Sequence, residues 1–146
     1  MALPEFNASG DLPSGLHEAS LDEIVERFGR PQGPRHLCTQ RLLRVYTLGQ
    51  RTGLMQRFIL FGSYITTKPD PNDVDVILVM DDTFRLETCP PETQGLFDHA
   101  VAQVRYGASI FWVRPSLLIS EDVETFIASW QRKRDGTRRG IVEVIS

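Results

Sequence analysis

Along the chain the apolar positions change period several times, and each change marks an element. Ser20-Leu21-Asp22-Glu23 has the form of a capping box, so a short helix is expected to about Phe28, with Gly29 at its C-cap and Pro31 and Pro34 preventing continuation. From Arg35 to about Arg51, Leu42, Val45 and Leu48, joined by Leu43 and Tyr46, recur at helical spacing and predict the first long helix. Phe58-Ile59-Leu60-Phe61 and the run from Val74 to Met80 predict two central strands; with no helix between them they are expected to be antiparallel neighbours. Leu96, Phe97, Ala100, Val101 and Val104 predict a third helix that Gly107 ends, and Ser109 to Arg114 a third strand that Pro115 stops. Val123, Phe126, Ile127 and Trp130 predict a last helix opening at Ser120, and Ile141 to Ile145 a closing strand. Residues 1–19, built around Leu12-Pro13-Ser14-Gly15-Leu16-His17, read as an extended arm rather than a helix or strand. The order predicts a mixed α/β (α+β) class, helices packed on a small mixed β-sheet.

Composition narrows the setting. A length of 146 residues suits a single domain over 1–146 with one core, and 41% hydrophobic residues with 8 Phe exclude general disorder. Sixteen Lys and Arg against 19 Asp and Glu leave a net charge of −3, so the chain lacks the surplus of a dedicated nucleic-acid binder; nucleic acid is a weakly supported partner that would need a local basic patch. No stretch of about 18 apolar residues could span a bilayer, and Met1 to Phe6 lack a basic flank leading into an apolar run, so a soluble cytoplasmic protein with no membrane partner is expected. Cys38 and Cys89 form neither a metal-spaced pair nor a disulfide scaffold.

The stretch from Phe61 to Val76 carries the chemistry. A strand ends in Gly62-Ser63, where glycine lets the backbone turn sharply beside a ligand and serine adds a hydroxyl to exposed amides, a layout that can cradle phosphates. Further on, Asp73 and Asp75 alternate with Val74 and Val76, which puts both carboxylates on one face about 7 Å apart and both valines in the core. Two such acids repel each other unless a cation lies between them, and magnesium is commonly held by one or two carboxylates together with substrate phosphates. Lys68, between serine and aspartates, is a candidate phosphate contact, against its reading as a solvated loop lysine. The competing reading of the whole segment is a polar edge in which the Asp residues only shape a turn.

Phe61-Gly62-Ser63 followed by Asp73-Val74-Asp75-Val76 resembles the signature of the nucleotidyltransferase superfold, shared by polymerase-beta-like enzymes, kanamycin nucleotidyltransferase and the minimal nucleotidyltransferases of toxin–antitoxin modules. That resemblance covers about residues 56–114. The arm from Leu12 to His17, Arg27-Phe28-Gly29, Lys68-Pro69 and Arg139 to Glu143 are similar to a group of small uncharacterised bacterial proteins with this core and an LPxGxH arm. The resemblance implies a mixed sheet, a phosphate loop at Gly62 and Ser63, and magnesium-binding carboxylates at Asp73 and Asp75. Active members of the superfold usually carry a third carboxylate on the strand after the next helix; here that strand, Ala108 to Val113, has no acid.

Other residues compete for roles. Glu143, between Val142 and Val144, is read either as an acid facing a cleft or, preferred, as pointing to solvent from an edge strand. Asp81 and Asp82 suit a turn, and Asp98 and His99 diverge too far around a helix to face one site together. Arg132, Lys133 and Arg134 are read as solvated cations at a helix C-terminus, with Arg138 and Arg139 left open as phosphate or RNA contacts. His17 is read as an anchor of the arm, and Tyr106, Phe111 and Trp112 as core rather than base-stacking rings. Two functions follow. One is a magnesium-dependent nucleotidyltransferase moving NMP from an NTP to a protein, RNA or small-molecule hydroxyl, its acceptor site completed by a second copy or a partner. The alternative is a catalytically degenerate relative that binds a nucleotide or partner protein, as in a toxin–antitoxin or phage-defence module.

Overall fold

The computed structural model describes residues 3–145, so Met1 and Ala2, the first residues of the N-terminal reading, lie outside the described residues. Its elements are β1 (Leu16–Ser20), α1 (Leu21–Phe28), α2 (Pro34–Arg51), β2 (Met55–Phe61), β3 (Val74–Met80), α3 (His99–Tyr106), β4 (Ala108–Val113), α4 (Val123–Ser129) and β5 (Ile141–Ile145). The five strands form one mixed sheet in the order β1-β5-β2-β3-β4. β2 is antiparallel to both β3 and β5, whereas the pairs β1–β5 and β3–β4 are parallel. The chain is thus a mixed α+β fold, and the 58–61 and 74–80 runs are antiparallel neighbours as their short connection requires.

Strand alternation gives the sheet two covered faces, so one core becomes two. Val74, Val76, Leu78 and Met80 point into the larger cluster with Phe28, Leu42, Val45 and Ala102 from the first three helices. Ile77 and Val79 point the other way, into a smaller cluster with Ile59, Ile127 and Ile141, roofed by α4. The capping box at α1 is present: Ser20 Oγ accepts from Glu23 N at 3.1 Å and Glu23 Oε1 from Ser20 N at 3.2 Å.

Three expectations are corrected. The end of the arm is a strand, because Leu16–Ser20 lies beside β5 in parallel register, Leu16 against Ile141 and Ser20 against Ile145. Leu96 and Phe97 are buried but belong to a 3₁₀ segment, Pro91–Phe97; Asp98 then caps a new helix by accepting from Val101 N. The cap resets the helical phase, so α3 buries Ala102 and Tyr106 and leaves Val104 90% exposed. The last helix opens at Asp122, which accepts from Thr125 N at 2.8 Å, instead of at Ser120.

The arm is anchored along its length. Leu12 is buried, its carbonyl accepts from Gly140 N, and Gln131 Oε1 accepts from Ser14 Oγ and Gly15 N. His17 Nε2 donates to Pro13 O at 2.6 Å, the anchoring role expected of it. Asp11, itself buried, pairs with Lys133 at 3.0 Å and Arg139 at 3.7 Å. Lys133 therefore does not sit at a helix C-terminus: α4 ends at Ser129, and residues 132–138 form a small hairpin closed by the Arg132–Arg138 bridge.

Candidate active site

The site lies where β2 ends and β3 begins. Gly62 turns the chain at φ +83°, a conformation an L side chain rarely adopts, and its missing side chain leaves the space that the Asp75 carboxylate fills. β2–β3 register places Phe61 directly opposite Asp75, so strand pairing itself brings the Gly-Ser turn to the acid. Ser63–Ile65 form a 3₁₀ turn in which Ser63 O accepts from Thr66 N and Thr66 Oγ1. The Ser63 hydroxyl is half-buried and has no hydrogen-bond partner among the described residues.

Asp73 and Asp75 share this edge by strand alternation. Asp73 Oδ2 accepts from Ser109 Oγ at 3.1 Å and from Gln103 Nε2 at 3.3 Å, and Gln103 also donates to Ser109 at 2.6 Å. The carboxyl of Asp75 is pushed up to about 7, first by burial and then by the charge of Asp73; Ser109 and Arg139 oppose the shift. A carboxylate pair in which one member is held partly protonated is the electrostatic state a cation would relieve. Lys68 is exposed, and its side chain has no partner among the described residues.

Sequence reasoning missed what holds the loop. Arg35, only 6% exposed, donates to four carbonyls: those of Phe28 and Tyr64 at 3.1 and 2.8 Å, and those of Thr66 and Lys68. Burial pulls its pKa below the ordinary arginine value, with the charge of Arg30 acting in the same direction. From the same helix Cys38 Sγ contacts Pro71 O at 3.4 Å and Arg41 donates to Asn72 O at 2.8 Å. One face of α2 therefore pins residues 64–72 between the serine and the aspartates. Ser109 and Gln103 were missed as well; the signal was present for Ser109, which alternation places on the same face as Phe111.

The remaining candidates separate. On β4 the partner of Asp75 is Ser109, so no acid stands there. Glu143 does not supply one, nor does it face solvent from an edge: β5 is internal, and Glu143 makes a two-pronged pair with Arg57 at 2.8 and 2.9 Å, with Arg57 also bonded to Glu124. Asp81 shapes a turn by accepting from Thr83 N and Oγ1, and Asp82 accepts from Ser116 N. His99 lies exposed against the ring of Phe111, centroids 5.0 Å apart. Trp112 is packed on Phe84 and Phe97 and Tyr106 is buried, as core readings require, but Phe111 lies on the Asp75 side, where Trp130 packs against it and Phe61 at 4.7 and 4.8 Å.

As a donor set, Asp73 and Asp75 fit one hard cation shared with a ligand's phosphate oxygens; among the described residues no three His, Cys, Asp or Glu side chains gather as a self-sufficient metal centre. A family profile described as a family of unknown function, DUF6932, matches residues 4–145. The chain belongs to this DUF6932 family. No curated protein and no solved structure matches it. For this DUF6932 member, no helix among the described residues is long and apolar enough to cross a membrane.

Proposed function

We propose that this chain binds a magnesium nucleoside triphosphate at the Gly62-Ser63 turn and transfers its nucleotidyl group to a hydroxyl of a protein, RNA or small molecule, the hydroxyl oxygen bonding the α-phosphorus as the bond to the β-phosphate breaks, pyrophosphate leaving and the hydroxyl proton passing to solvent. One observation carries the reading: the turn at φ +83° closes onto Asp75, so a free serine hydroxyl and two carboxylates share one strand edge. When bound, magnesium would neutralise charge developing on the phosphates, and Asp73 and Asp75 are the residues that would hold it. Ser63 orients the phosphate tail through its hydroxyl, and Lys68 adds a positive charge from the solvent side. Gln103 and Ser109 fix Asp73 Oδ2 and leave its other oxygen for a ligand. Incubation with α-labelled NTPs, magnesium and lysate should give transferred label that Asp73→Ala abolishes.

The second reading, nucleotide or partner binding without turnover in a toxin–antitoxin or phage-defence setting, is favoured by Ser109 at the position paired with Asp75. It predicts magnesium-dependent NTP binding by calorimetry with no label transferred. Neither binding nor transfer would remove both nucleotide readings and leave the partner-protein role.

A further inference from the structure

Between Glu26 and Asp70 the chain has no acidic residue, yet this stretch holds half of its 16 Lys and Arg, in a protein of net charge −3. All of α2 lies in it, and α3, packed beside α2, likewise has no Asp or Glu among its own residues. Two hollows of about 520 and 440 Å³ run along this pair of helices and share Gln40, Arg44 and Tyr106. Arg51 lines the first, Arg41 and Arg105 the second, and the only carboxylate on either wall is Glu92. None of these four arginines has an ion-pair partner among the described residues, whereas Arg57, Lys133 and Arg139 do. Arg44 lies over the Tyr106 ring at 4.9 Å, which keeps its guanidinium edge presented to solvent. Gln103, the residue that donates to Asp73, lines the second hollow as well.

From this placement we infer that the α2–α3 groove binds the phosphate backbone of a nucleic acid and leads it to the Asp73 edge. Planar guanidinium groups not engaged in ion pairs match phosphodiester oxygens, and a row of them gives a sequence-independent contact. The inference rests on the proposed nucleotidyl-transfer reading for its direction: the backbone enters at Arg51 and Arg44, passes Arg105, and presents a hydroxyl where Gln103 meets Asp73. It reassigns the basic contact from the 132–139 hairpin, whose Lys133 and Arg139 are engaged with Asp11, to the opposite side of the sheet.

Fluorescence anisotropy with a labelled 20-nucleotide single-stranded RNA and a 20-base-pair DNA duplex, at two salt concentrations, tests it. At least one probe should bind, with a slope of log K against log salt of roughly −2 to −3.6, as expected for three or four phosphate contacts. Arg44→Glu/Arg51→Glu/Arg105→Glu should lose at least about tenfold, and the milder triple alanine variant should flatten the slope while keeping the wild-type melting temperature within a few degrees. Arg132→Glu/Arg134→Glu should bind normally, and because the readout is nucleic-acid binding without NTP or magnesium, a failure here is distinct from a failure of nucleotidyl transfer. Binding of neither probe, wild-type binding by both groove variants, or a loss confined to the hairpin variant would overturn the inference.

Discussion

Asp75 occupies the space that a side chain on Gly62 would need, so the Gly62-Ser63 turn and the half-buried acid are built as one unit. Gly62→Ala should therefore cost more than its backbone strain. With φ +83° and the carboxylate in the way, a loss of about 2 kcal/mol or more is expected, together with loss of nucleotide binding. Gly53→Ala, at φ +72° in open space, should cost about 1 kcal/mol and leave binding intact. Chemical denaturation with calorimetry on both variants checks the contrast.

Asp75 has a folded pKa of about 7 against an ordinary 3.8. Between these values the folded state binds more protons than the unfolded one, so this group's contribution is full below about pH 4 and is lost as pH rises through 7. Asp75→Asn removes the cost of ionising the half-buried group and should stabilise the protein at pH 8 by about 1–2 kcal/mol, flattening stability between pH 4 and 7. Magnesium should raise the wild-type melting temperature more at pH 8 than at pH 5.5, because protons compete with the cation for the same oxygens. Melting curves at the two pH values, with magnesium or a chelator, check both.

Arg35 holds four loop carbonyls from a single buried guanidinium. Arg35→Lys keeps the charge but not the planar fork, and Arg35→Met keeps neither; losses of more than about 3 kcal/mol are expected for the second and an intermediate value for the first. Urea titration of the two variants gives the comparison.

Ser109 stands opposite Asp75 where a third carboxylate would complete a metal-binding set. Ser109→Asp should melt lower than wild type in chelator, from repulsion among three acids, and recover with millimolar magnesium. Arg57→Ala, by contrast, should destabilise by roughly 1–2 kcal/mol through loss of the Glu143 pair without changing the magnesium effect, since Glu143 belongs to the sheet interior and not to the site.

The strands and the acid pair were legible because their signals are local. Val74 and Val76 need burial, so Asp73 and Asp75 are forced to the other face, and the structure keeps that arrangement. Leu16 to Ser20 carry no comparable alternation; they become a strand because β5 offers a parallel partner more than a hundred residues away. Arg35 was illegible for a similar reason, since its acceptors are carbonyls up to 33 residues distant that exist only once the loop has folded over α2. The helix expected over Leu96 to Val104 is present and ends at Gly107, but it starts only at His99 because Asp98 breaks a continuous apolar pattern with a cap.

Calorimetric titration of wild-type protein and of Asp73→Asn/Asp75→Asn with each of the four NTPs, with and without magnesium, tests the central claim. The account predicts saturable binding of at least one NTP that requires magnesium and vanishes in the double variant while that variant stays folded. Absence of binding by the wild-type protein, or equal binding with both aspartates removed, would contradict it.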